Sequence, residues 1–197
     1  MNDNKTIKYY NINAKRFYED TVEIDLKDFY PKFLKHIPNN GKILDLGCGS
    51  GRDSLYFIKK GYLVTSIDGS KEMVKLSSQL TSQKTHLLNI KNIDFENEYN
   101  GIWAYASLLH IDESITKEVI SKLGKALKKD GVLYASYKYG KGTYKNGLRF
   151  FNNYNERDFK KLIGEINGLD FLTYWITKDL RPDRQDEKWL SVLMKRN

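Results

Sequence analysis

The sequence predicts an α/β fold, a doubly wound and mostly parallel sheet with helices on both faces. Three observations carry that prediction. Short apolar runs rich in β-branched residues alternate with segments of helical spacing. Strands separated by helices in this way run parallel and are joined by right-handed crossovers. The first apolar run, "KILDL" at 42–46, breaks into glycines at alternate positions, Gly47, Gly49 and Gly51, the turn of a ligand-binding strand–helix unit.

Each element has its own signal. The leader, residues 1–36, carries Tyr9, Tyr10, Phe17 and Tyr18 and is expected to be helical, as a packed amphipathic face or as a lid. Residues 42–46 are a buried strand. Residues 53–61 have helical spacing and stop at a glycine. "LVTSID" at 63–68 is a second strand, and Ser70 caps a helix running to residue 80. "THLLNI" at 85–90 is a short strand and "GIWAYASLL" at 101–109 a long buried one. Residues 114–127 form a helix, "KKDG" a turn, and 131–140 the fifth strand. After residue 142 the alternation changes. A helix at 155–166 precedes two strands, 170–178 and 187–196, with only a polar linker between them. Such a pair is antiparallel and lies at the sheet edge. The total is seven strands in one domain, with a core at 41–139 and a substrate side at 140–197.

Composition narrows the class. The 197 residues are 40% hydrophobic and 29% charged, a globular composition with enough chain for one sizeable core. No apolar run reaches the ~18 residues of a membrane span, and the first ten residues lack the apolar centre of a signal peptide. Cys48 is the single cysteine, which excludes an internal disulfide and a cysteine metal cluster. A cytoplasmic setting without a membrane partner is expected. The net charge of +8 attracts polyanions, but the lysines are spread along the chain with no polybasic tail, as on a solvated surface.

The glycine turn discriminates between ligands. In a dinucleotide fingerprint counted from Gly47 and Gly49, the third glycine would fall on Arg52. A long cation there argues against a pyrophosphate, and no G-K-[ST] follows to make a P-loop. Asp45, two residues before the first glycine, suits a ligand with an amino group. Asp68 ends the second strand, where an acid accepts ribose hydroxyls.

On these residues the chain resembles the class I S-adenosylmethionine-dependent methyltransferases, which have a Rossmann-like sheet with an antiparallel last strand. "LDLGCGSG" resembles the family's first motif, "SIDGS" its second-strand acid, "NIKNIDF" its adenine-edge region and "YNGIWAYASLLHI" its fourth motif. "ALKKDGVLYAS" resembles its turn into strand five. Asn89 and Asn100 stand where many relatives have aspartate. The resemblance implies S-adenosyl-L-methionine as cofactor. It implies contacts from Asp45, Gly47, Cys48, Gly49, Gly51, Arg52, Asp68, Gly69, Asn89, Ile90 and Ala106. More narrowly, the leader, "GSGRDS", "SYKYG" and "TKDLRPDRQDEKWL" look like small bacterial tellurite-resistance-like methyltransferases. The leader is also similar to that of wobble-uridine tRNA methyltransferases.

The chemistry implied is in-line displacement at an already activated methyl group, where alignment supplies most of the catalysis. His110, at the end of the fourth strand, is the candidate base or substrate-orienting group, and Tyr10 a candidate lid residue near the sulfonium. His36 and His86 are expected to be structural. Lys138, Tyr139, Arg149, Arg181 and Arg184 are the expected substrate-side residues, and no metal is expected. The acceptor read from these is a small, anionic or soft nucleophilic molecule. The alternatives are tRNA and a non-catalytic cofactor-binding module.

Overall fold

The coordinates are a computed structural model and describe residues 2–197. The leader folds as α1 (Asn2–Ile12), α2 (Ala14–Thr21) and α3 (Tyr30–Leu34). The core then alternates: β1 (Lys42–Leu46), α4 (Arg52–Lys59), β2 (Leu63–Asp68), α5 (Lys71–Thr81), β3 (Thr85–Leu87), β4 (Tyr99–Ala104), α6 (Glu113–Ala126) and β5 (Leu127–Lys138). The remainder is β6 (Gly142–Asn146), β7 (Arg149–Asn153), α7 (Glu156–Gly164), β8 (Leu169–Lys178) and β9 (Lys188–Arg196).

Seven strands form one sheet in the order β3-β2-β1-β4-β5-β9-β8. The first five run parallel, and β9 is antiparallel to both β5 and β8. This is the expected mixed sheet with its antiparallel last strand. Residues 43–46 of β1 are all buried, because β1 lies at the centre of the sheet.

Local chemistry sets the helix starts. Ser70 caps α5 by accepting the Met73 N–H, and Asp112 and Asn155 cap α6 and α7 in the same way. One face of the sheet packs on α6 and α7 through Val119, Ile120, Leu123, Phe159 and Ile163. The other packs on α3 and α4 through an aromatic block of Tyr30, Phe33, Phe57, Trp103 and Tyr134. Trp103 and Tyr134 stack there at 4.0 Å.

Four boundaries differ from the expectation. The strand read as 101–109 ends at Ala104, because Ala106 takes a left-handed backbone (φ 51°) and Leu108–His110 form a 3-10 turn. Leu108 and Leu109 are buried within that turn, so the apolar run outlasts the strand. The "KKDG" turn lies inside β5 as an irregularity. Asp130 is left-handed (φ 64°), and the pairing jumps from Tyr99↔Leu127 to Gly101↔Val132. The strand read as 85–90 stops at Leu87. Finally, β6 and β7 form a hairpin that the periodicity did not reveal, closed by Gly147 (φ 59°) and Leu148 between the paired Asn146 and Arg149.

Candidate functional site

The carboxyl ends of β1, β2, β4 and β5 open into a cavity of about 220 Å³. Helices α1 and α2 roof it, and residues of the β6–β7 hairpin and of the β8–β9 loop wall its far side. The β1–α4 loop forms the floor. Gly47, Gly49 and Gly51 all have positive φ (71°, 54° and 85°), which excludes most side chains. A Cβ on Gly47 would lie 2.6 Å from that of Ser107, and one on Gly51 would lie 2.6 Å from Ser77 Oγ. Gly47, Cys48 and Gly49 line the cavity. Gly51 does not; it sits at the N-cap of α4 and packs on α5. Cys48 is buried beside Ser77, and burial pushes its thiol well up, so it is no nucleophile.

Two acids meet this floor. Asp68 accepts the Gly49 N–H at 2.9 Å and the Ser70 N–H at 2.8 Å. Burial raises its pKa against the pull of those amides. Asp45 accepts the Ser54 hydroxyl at 2.6 Å, and burial followed by the charge of Asp53 raises it to about 8. Asn89 caps the turn after β3 by accepting the Lys91 N–H, and Ile90 and Gly69 stand beside it on the cavity wall. Ala106 completes that wall, its left-handed backbone held by an N–H bond to Ser136 Oγ at 2.7 Å. The neighbouring Ser107 lines the cavity, and its Oγ is buried without a hydrogen-bond partner.

Arg52 lines the cavity but is engaged elsewhere. It grips Asp53 through Nε (2.6 Å) and Nη2 (3.0 Å), and donates to the Thr21 carbonyl at the end of α2. Asp53 also accepts from Tyr30 Oη and Trp103 Nε1, both at 2.8 Å. The pairing of the neighbours Arg52 and Asp53 is legible in the chain, but nothing in the spacing of residues 30, 53 and 103 marks the rest of this four-donor hub.

A second hydrogen-bonded circuit closes the roof. Tyr10 Oη lies 2.8 Å from His110 Nε2, His110 Nδ1 lies 2.6 Å from the Phe150 carbonyl, and the Phe150 N–H donates to Thr6 Oγ1 at 3.1 Å. Thr6 and Tyr10 are one turn apart on α1, so the loop returns to its origin. Burial lowers the His110 pKa to about 4 and raises that of Tyr10 to about 12, leaving both neutral. At the other rim Asn11 accepts the Ser70 hydroxyl at 2.8 Å, and Ile7 lies over Gly69. Phe17 covers Gly49 and packs edge-on against Tyr10.

The substrate-side expectations divide. Lys138, Arg149, Arg181 and Arg184 line the cavity; Tyr139 does not. It follows Lys138 on the opposite face of the chain, half exposed and bonded to Glu156. Lys138 is paired with Glu187 and lies among the rings of Phe151, Tyr144 and Trp189. Arg181 is held by both oxygens of Asp179, which also accepts Trp189 Nε1 at 2.9 Å. Arg184 faces Asp183 at 3.5 Å. Arg149 packs its guanidinium 4.5 Å from the Tyr9 ring centre. Of the hairpin residues at the site, Arg149 was expected and Asn146 and Phe151 were not, although Asn146-Gly147 is a hairpin signal in the sequence.

Comparison with known proteins places this geometry. In solved structures, the 1,6-didemethyltoxoflavin-N1-methyltransferase of Burkholderia thailandensis matches 99% of this chain and 88% of its own, with TM-score 0.81 and 17% identity. TehB from Haemophilus influenzae matches 94% of this chain and 67% of its own, with TM-score 0.71 and 20% identity. At such identities the likeness establishes the fold, which is that of the class I methyltransferases. Among curated sequences, a Geobacillus protein named as a methyltransferase is 28% identical over 116 residues, 54% of this chain and 47% of that one. The chain spans about half the length of the curated relatives it matches. The model of the family described as "Tellurite resistance protein TehB" matches residues 9–165, most of the chain, and the protein therefore belongs to the TehB family.

Proposed function

We propose that the protein is an S-adenosylmethionine-dependent methyltransferase acting on a small anionic or soft nucleophilic molecule. One observation carries the reading: the left-handed glycine loop and the anchored Asp68 form the floor of a cavity that α1 roofs. The residues present fit the cofactor. The bare backbone at Gly49 allows close approach, Asp68 retains acceptor capacity for ribose hydroxyls, and Asp45, raised to about 8 without a counter-charge, would ionise beside an ammonium. Likenesses support it too, since the Burkholderia enzyme was solved with S-adenosylhomocysteine and 1,6-didemethyltoxoflavin bound.

When bound, the cofactor supplies a methyl group activated by its sulfonium. The Gly47–Gly49 backbone, Asp45 and Asp68 would hold the cofactor, leaving the methyl group open to the acceptor's lone pair. The protein's part is alignment and exclusion of water, worth up to ~7–11 kcal/mol. The neutral His110, its Nδ1 proton committed to Phe150, holds Tyr10 in place over the cavity. It is a positioning residue, because its Nε2 lone pair is already occupied by Tyr10. A thiolate or similar soft nucleophile needs no further base.

A roofed cavity favours a small acceptor over tRNA. The test combines calorimetry with label transfer. S-adenosylhomocysteine binding without NAD binding is expected, with label from methyl-labelled cofactor entering a metabolite extract. Label entering bulk RNA, with binding that collapses at higher salt, would reverse the choice of acceptor. Cofactor binding without transfer to either pool would favour a non-catalytic module.

A further inference from the structure

The cations lining the cavity are, with one exception, already neutralised. Arg52 is held by Asp53, Lys138 by Glu187, Arg181 by Asp179, and Arg184 faces Asp183. Among the described residues, no carboxylate pairs with Arg149. Its Nε is buried without any hydrogen-bond partner. Its guanidinium is sandwiched over Tyr9 at 4.5 Å and Phe151 at 5.3 Å, stacking that fixes direction without supplying charge. The hydroxyl oxygen of Tyr10, which it also reaches, takes a donor and offers no anion. Burying a guanidinium without a counter-charge is costly, and a group that brings the counter-charge recovers that cost.

Besides the Asn146 amide, its partner across the hairpin, the side-chain donors around Arg149 are committed. His110 Nδ1–H goes to Phe150, Tyr10 O–H to His110, and Trp189 Nε1–H to Asp179. Between them the wall is apolar or aromatic, with Leu109, Ile111, Phe151 and Trp189 lining the cavity. A bare inorganic oxyanion needs donors on every oxygen, and this wall offers them along one edge only. An acceptor with a single acidic end and an apolar body matches donors and wall together.

We infer that Arg149 is the specificity-determining residue for the acceptor, receiving the carboxylate, or an equivalent single acidic group, of an otherwise apolar organic substrate. The inference rests on the methyltransferase reading and deepens it. Arg149 lies on the hairpin side of the cavity, packed on Phe151, whose ring lies 5.0 Å from that of His110. The arginine fork suits a carboxylate in two parallel hydrogen bonds, which lysine cannot reproduce.

The test uses the full chain saturated with S-adenosylhomocysteine, titrated calorimetrically with benzoate, phenylacetate and indole-3-acetate, each beside its amide, and with tellurite. At least one acid should bind tenfold or more tightly than its amide. Arg149→Met should erase that preference, Arg149→Lys should keep part of it, and both should hold S-adenosylhomocysteine within twofold of the native affinity. Acids and amides binding alike, no acid binding, or tellurite binding in place of the acids would overturn the inference. So would a tenfold loss of S-adenosylhomocysteine affinity in a folded Arg149→Met protein, which would assign Arg149 to the cofactor's own carboxylate. Failure of the native protein to bind S-adenosylhomocysteine would strike the methyltransferase reading itself.

Discussion

The hydroxyl of Tyr10 donates to Nε2 of His110 across 2.8 Å, and the direction of that bond is fixed from the other side of the ring. His110 Nδ1 faces the Phe150 carbonyl at 2.6 Å, and a carbonyl only accepts. The ring proton is therefore on Nδ1, and Nε2 is left as the acceptor. Tyr10→Phe leaves that buried nitrogen without its donor, an expected loss of about 1–3 kcal/mol. Urea denaturation measures it, and a variant as stable as the native chain would show that the bond is not made in solution.

The same imidazole gives the protein an acid limit. Burial holds the folded His110 at about 4, against an ordinary value near 6.5. Between those values the unfolded chain carries the proton and the folded chain does not. The contribution of His110 to stability is thus full above pH 6.5 and falls as the pH drops toward 4. At pH 5 the fall is about 2 kcal/mol. Asp45, raised to about 8, titrates in the opposite sense, so the readout is the difference from His110→Asn. That variant should gain on the native protein between pH 7.5 and pH 5. Parallel profiles would count against a buried neutral ring.

Asp68→Ala removes the acceptor from the cofactor floor and frees the Gly49 and Ser70 amides. S-adenosylhomocysteine affinity should fall by about 1.5–3 kcal/mol, the scale of hydrogen bonds to a charged group. Calorimetry at a temperature where the variant is still folded separates binding from stability. Unchanged affinity would remove Asp68 from the cofactor site.

Gly47→Ala is expected to fail in two ways. The backbone there is left-handed at φ 71°, and the new methyl would stand 2.6 Å from the Ser107 Cβ. Strain of about 1–3 kcal/mol is expected, together with loss of cofactor binding as Ser107 is pushed aside. Gly142→Ala is the control, since φ is similar at 70° and nothing lies within 4 Å of its Cβ. Equal loss of cofactor binding in both would show that the effect is backbone strain alone.

Removing residues 1–12 should impair cofactor retention more than folding. The sheet and both aromatic and aliphatic cores lie elsewhere, in residues 26–196. Circular dichroism and calorimetry on the shortened chain test this. A shortened protein with native affinity would mean that α1 covers nothing of consequence.

The parts of this molecule written in short-range chemistry could be read directly from the chain. Lys42–Leu46 and Leu63–Asp68 were found to the residue, because a central parallel strand is apolar and is bounded by turn-formers. Ser70 announced its helix by being a hydroxyl before an apolar period. What escaped depends on contacts between distant residues. The Asp53 hub reaches residues 30 and 103, and the roof circuit joins 6, 10, 110 and 150. Arg149 and Arg181 were both expected on the substrate side. They differ because Asp179, two residues away, grips Arg181, whereas among the described residues no carboxylate pairs with Arg149. The hairpin was hidden for another reason: β6 is exposed along its whole length, so it shows no apolar alternation.

Helix α1 is moored at both banks of the cleft, by Asn11 to Ser70 and by Thr6 to the Phe150 amide. The chain breaks just beyond it at Asn13, whose backbone (φ −107°, ψ 16°) leaves the helical range before α2 begins. A span fixed at two ends with one joint governs how fast its contents are exchanged as well as how tightly they are held. A nucleoside-sized ligand beneath it would leave on release of both moorings, an event of the class that runs over microseconds to milliseconds. Residence time would then be set by the leader, and replacing Asn11, which lies outside the His110 circuit, should shorten it.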